Sequence, residues 1–145
     1  MNALATGWAQ DRTPRLRIPQ PVTARGLHGG GEGTFFLATT SGLYRKLPGG
    51  SFTLRSGDPA YTVSDVQVDP NNPMRVCATF GFAFTAGQHR GGVDYSTDNG
   101  ATFTSLTAGL DIHQSPIAAI QFDPVDSHYL HAAVYGLGGW TTFLP

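Results

Sequence analysis

Residues 63–70, VSDVQVDP, return 54 residues later as IAAIQFDP at 117–124. Val63, Val66 and Val68 become Ile117, Ile120 and Phe122, and Gln67, Asp69 and Pro70 recur as Gln121, Asp123 and Pro124. At the same offset RVCATF (75–80) meets YLHAAV (129–134), with Ala78 matching Ala132. A repeat of this length is one supersecondary unit that cannot bury its apolar face alone, so the fold must stack units on one another.

A weaker copy lies upstream. FFLATTSGLYRKLPGGSFTL (35–54) resembles VCATF joined to GGVDYSTDNGATFTSL, and Gly42 and Gly50 keep the spacing of Gly92 and Gly100. The chain therefore reads as the end of one unit (33–56), a complete unit (57–108) and part of another (109–145). Residues 1–32 read as an extended lead-in. Each unit consists of short strands: VSDVQV, then MRVCATF, GGVDYS and TFTSLT, separated by DPNNP, the segment 82–90 and DNG. Aspartate followed by proline signals a type I turn whose carboxylate accepts from an amide two or three residues on. No helix-length periodic segment occurs. Nineteen glycines, ten prolines and only 13% charged residues agree with a turn-rich all-β chain of four-stranded antiparallel meanders.

The stretch STDNGATF (96–103) places Asn99-Gly100 between two strands, a hairpin signal because both residues tolerate positive φ. Ser96 and Asp98 can satisfy turn amides that no strand reaches. Phe103 returns an aromatic to the sheet. These eight residues resemble the Asp-box, or BNR, repeat, Ser-any-Asp-any-Gly-any-Thr-Trp, with Phe103 in place of tryptophan. The resemblance, over roughly residues 33–140, is to the Asp-box β-propellers, which include sialidases, xyloglucanase-type glycoside hydrolases and sortilin-type receptors. It implies a structural turn at Ser96, Asp98, Gly100 and Phe103. Closed propellers have about four to eight blades, and the copies counted in this chain give about two to three, so an open arc is expected. The upstream copy has Lys46 and Pro48 where Ser96 and Asp98 stand. The third copy breaks off before a box, so the chain reads as an incomplete propeller whose open edges invite self-association.

Other chemistry is sparse. Nine basic and ten acidic residues give no basic patch for nucleic acid or an anionic membrane. No stretch reaches the roughly 18 apolar residues of a membrane span, and the N-terminus lacks a signal-peptide core. A single cysteine, Cys77, excludes an intrachain disulfide and sits in an apolar run. The five histidines lack ligand spacing, and Asp94 with Asp98 supply too few carboxylates for calcium, so neither metal nor cofactor is expected. HGGGEG (28–33) is similar to an esterase oxyanion loop, but no nucleophile elbow accompanies it.

Successive turns of a meander alternate between its ends. Segments 82–90 and 107–116 therefore share the end away from the box, and carry Phe82, Phe84, Gln88, His89, Arg90, Asp111, His113 and Gln114. Of these, Phe82, Phe84, His89, Arg90, Asp111 and His113 are the candidate binding residues, for carbohydrate or protein. The competing reading is a fragment of a glycoside hydrolase, which needs two carboxyl groups about 5–10 Å apart. Asp65, on the innermost strand, and Asp111 are the only nominees, and no family catalytic motif supports them.

Overall fold

The computed structural model describes residues 24–56, 62–80, 92–106 and 117–145. They form three antiparallel sheets in chain order. The first comprises β1 (Ala24–Gly29), β2 (Phe35–Thr39), β3 (Gly42–Lys46) and β4 (Phe52–Ser56). The second comprises β5 (Val63–Asp69), β6 (Asn72–Phe80), β7 (Gly92–Ser96) and β8 (Thr104–Ser105). The third comprises β9 (Ile117–Phe122), β10 (Tyr129–Val134) and β11 (Gly138–Phe143). Each is a meander, and none closes on itself. Among the described residues the only helical element is the short 3-10 turn Gly31–Gly33.

The lead-in expected over residues 1–32 is corrected at its end. Ala24–Gly29 pairs with β2, so the first sheet is a complete four-stranded unit and not the end of one. ARGLHG shows no apolar alternation, and its pairing is set by β2. Sequence pattern therefore could not reveal it.

β5 lies between β1 and β9, so the first strands of the three units form the line along which the sheets stack. The repeated valines and isoleucines explain the stacking. Val63 and Val66 are three residues apart, a spacing that would put them on opposite faces of a regular strand. The register slips between Val63 and Asp65, so Ser64 is an extra residue and both valines enter one core. The slip recurs between Ile117 and Ile120. One core, between the first and second sheets, joins Phe36, Ala38 and Leu43 to Val63, Val66, Val68, Val76, Ala78 and Phe80. The other joins Cys77, Val93 and Tyr95 of the second sheet to Ile117, Ile120, Phe122, Leu130, Ala132 and Val134 of the third.

Candidate functional site

Residues 96–103 form a turn held by their own side chains. Asn99 and Gly100 adopt φ of 56° and 73°. The Ser96 hydroxyl donates to Asp98 Oδ1 at 2.7 Å and accepts from the Gly100 amide at 2.9 Å. Asp98 Oδ1 also accepts from the Thr102 amide at 2.9 Å, and Oδ2 from the Thr102 hydroxyl at 2.6 Å. Desolvation pushes the Asp98 carboxyl upward, but the donors of Thr102, Ser96 and Ala101 outweigh it and hold it at about 2. Phe103 packs against the first core. This carboxylate is committed to the turn, and no group of three or more metal-ligating side chains occurs among the described residues.

The turn has a second job that the sequence did not reveal: it fastens the second sheet to the first. Asn99 Nδ2 donates to Thr34 Oγ1 at 3.0 Å, and Arg45 Nη1 donates to the Asn99 carbonyl at 2.9 Å. A Cβ on Gly100 would lie 2.4 Å from Phe36 Cε1, so only glycine lets the turn seat there. The partners are 54 and 65 residues away in sequence, beyond any local signal.

Asp65 is on β5, as expected, but its carboxylate faces structural donors. Oδ1 accepts from the Val66 amide at 2.9 Å, and Oδ2 accepts from the Ile120 amide of the third sheet at 3.1 Å. Gln67 Nε2 approaches Oδ1 at 3.3 Å. The bulge residue Ser64 reaches the same strand, donating to the Ile117 carbonyl at 2.6 Å. Together they tie β5 to β9. Cys77 is wholly buried, and burial pushes its thiol far above the ordinary range, which removes it as a nucleophile.

Phe82, Phe84, His89, Arg90, Asp111 and His113 lie outside the described residues. The strand ends that bracket their segments are described. Phe80 pairs with Gly92 and with Val63, whereas Val76 pairs with Ser96, so β6 ends and β7 begins at the end opposite the box. β8 runs toward that same end, and β9 starts from it, where Ile117 pairs with Val134.

At the box end, a groove of about 410 Å³ crosses all three sheets, lined by His28, Gln67, Asp69, Pro73, Gln121 and Pro124 among others. The signal was present in the repeat, since Gln67 and Gln121 share one register and each precedes an Asp-Pro turn, but sequence does not say that successive turns share a groove. Among the described residues no helix is long and apolar enough to cross a membrane.

No family model matches the sequence, and no curated protein matches it. Solved structures do resemble it. A GH74 xyloglucanase from Xanthomonas campestris superposes with a TM-score of 0.65 at 20% identity, over 88% of this chain and 22% of that one. A GH74 enzyme from Niastella koreensis gives 0.58 at 19% identity, over 83% and 22%. An ancestral GH74 enzyme gives 0.54 at 18% identity, over 77% and 13%. The chain thus spans about a fifth of the first two, and at these identities the likeness establishes the fold: three stacked blades of β-propeller type, not closed.

Proposed function

We propose that the chain is an Asp-box propeller module that binds carbohydrate or protein without catalysing a reaction. Its ligand surface is the end of the sheets away from the box, with Phe82, Phe84, His89, Arg90, Asp111 and His113 as contacts. The observation that carries this reading is topological: the described strand ends that bracket 81–91 and 107–116 all lie at that one end. Loops at one end of a rigid sheet stack are where binding groups gather. One structural neighbour is a xyloglucanase, which favours a β-glucan as the carbohydrate.

The second reading, a piece of a glycoside hydrolase, is favoured by the same neighbours. Against it stands Asp65, whose two oxygens already accept from Val66 and Ile120 amides. A nucleophile or acid in that position would have to give up bonds that join two sheets.

Calorimetric titration with xyloglucan oligosaccharides tests the proposal. Binding should weaken at least about tenfold in Phe84→Ala and Arg90→Ala, a change of about 1.4 kcal/mol, with the melting temperature unchanged. No reducing sugar should be released. Unaltered binding in both variants would place the ligand elsewhere. Turnover that disappears in Asp65→Asn and in Asp111→Asn, with the fold retained, would establish the hydrolase instead.

A further inference from the structure

The first strand of each unit carries one extra residue near its start, between Ala24 and Gly26, Val63 and Asp65, and Ile117 and Ala119. Counting from that slip aligns the three strands. His28, Gln67 and Gln121 then share one position, opposite Phe36, Cys77 and His131. The first strands lie side by side, so these three side chains make a row across the sheets. The row lines the groove of about 410 Å³ at the box end. That volume falls within the ~300–1,000 Å³ usual for small-molecule sites, where a few placed polar groups fix the ligand.

Each member of the row has hydrogen-bonding capacity to spare. Gln121 is exposed, and its amide has no side-chain partner among the described residues. Gln67 Nε2 lies 3.3 Å from Asp65 Oδ1, and a carboxylate only accepts, so the orientation of the amide is set and Oε1 stays available. Asp65 is itself held by the Val66 and Ile120 amides, which braces Gln67. At His28, Nδ1 lies 3.1 Å from the Gly29 carbonyl and must donate to it, which leaves Nε2 of the neutral tautomer as an acceptor.

The groove offers no free charge. Among the described residues no Lys or Arg lines it. Its one carboxylate, Asp69, is 1% exposed and sits 3.0 Å from Arg75 Nη1. A phosphate or carboxylate ligand would find no cation there, and a cation no unpaired acid. Pro70 and Pro124, at one repeat position, and Pro73 supply apolar surface beside the polar row. Phe122 is 3% exposed and packed in a core, so a proline-rich peptide finds no aromatic shelf.

We propose that this groove binds an uncharged saccharide, at the end of the sheets opposite the loop surface. Sugar hydroxyls both donate and accept, as the Gln amides do, and the C–H faces of a sugar ring suit the proline rings. Gln67 and Gln121 take hydroxyls at the second and third sheets, and His28 Nε2 accepts from one at the first.

Nitrogen–proton correlation NMR of the full chain tests this, with the neutral disaccharides cellobiose, lactose and maltose as probes and glucuronic acid and an oligoproline as contrasts. The side-chain amide signals of Gln67 and Gln121, assigned by their disappearance in Gln67→Ala and Gln121→Ala, should shift saturably with at least one disaccharide and with neither contrast. Because Gln121 makes no side-chain bond within the fold, Gln121→Ala should keep the backbone spectrum while weakening the Gln67 shift about tenfold, the loss of two ordinary hydrogen bonds. The readout sits on the groove itself, so it stands or falls separately from binding at the loop end. Amide signals unmoved by all three disaccharides, an unchanged affinity in Gln121→Ala, or a larger shift with glucuronic acid or oligoproline would each overturn the proposal.

Discussion

Asp69 and Asp123 occupy the same repeat position and begin the same Asp-Pro turn, yet they live in different surroundings. Each accepts from turn amides: Asp69 Oδ1 from Asn71 at 2.8 Å, and Asp123 Oδ1 from Val125 at 2.8 Å and Asp126 at 3.0 Å. Asp69 is 1% exposed, and its other oxygen lies 3.0 Å from Arg75 Nη1. That guanidinium also donates to the Ser127 carbonyl, in the turn between β9 and β10, at 3.2 Å. Asp123 faces outward from the third sheet, where His131 Nε2 sits 2.9 Å away and Thr141 holds the other ring nitrogen. A sheet that is covered needs a permanent cation against a buried carboxylate, while an uncovered one makes do with a half-exposed histidine. What differs between the copies is not the turn but whether a neighbour sits on it.

The sharpest way to break this comparison is Arg75→Ala. It leaves the Asp69 carboxylate buried and unpaired, which should cost about 3–5 kcal/mol in denaturant unfolding. In an Asp69→Asn background the same change should cost much less. Equal costs in the two backgrounds would show that Arg75 acts through its stem and Ser127 alone.

Gly100→Ala should follow, at about 2–4 kcal/mol, from a positive φ of 73° and a Cβ pressed onto Phe36. Gly138, on the open third sheet, has φ of 82°, and a Cβ added there would meet nothing within 4 Å. Gly138→Ala therefore isolates the backbone strain, about 1 kcal/mol. Similar losses at both sites would deny that seating against the first sheet matters.

Asp98→Ala should cost about 1–2 kcal/mol, because the Thr102 and Ser96 donors lose a charged acceptor in a turn still partly open to water. Asp98 titrates near 2 in the fold, below the ~4 of an unfolded aspartate. Its contribution is therefore whole above about pH 4 and is lost as pH falls toward 2. An acid limb of stability unchanged by the substitution would sink this assignment.

The smallest effect belongs to the exposed partner. His131→Ala should leave the denaturation midpoint within the scatter of measurement. Asp123 is held at about 2 first by the Asp126 amide, then by His131 and the Val125 amide. In the variant its titration, followed by NMR, should move upward yet stay below an ordinary carboxyl, since both amides remain. A midpoint shift rivalling that of Arg75→Ala would erase the contrast between covered and open sheets.

The repeat was legible because it is local. VSDVQVDP and IAAIQFDP show a strand and its Asp-Pro turn without reference to anything distant, and STDNGATF shows a turn closed by its own side chains, whereas the bulge that brings Val63 and Val66 to one face appears only in the pairing with β6. β1 was not legible, because ARGLHG is recruited by β2 and carries no pattern of its own. Asp65 was legible as a residue of an inner strand but not as an acceptor for Ile120, 55 residues on.

Short-range chemistry thus settled the strands, the Asp-Pro turns and the positive-φ corner at Asn99-Gly100, since periodicity, turn propensity and side-chain-to-backbone bonds act within a few residues. Tertiary structure alone decided which aspartate is buried beside Arg75 and which is left to His131, why Gly100 must be glycine, and that Asp65 joins two sheets. Those outcomes depend on which blade face lies against which. Stacking brings together groups some fifty residues apart, and burial then sets the cost of leaving any of them without a partner.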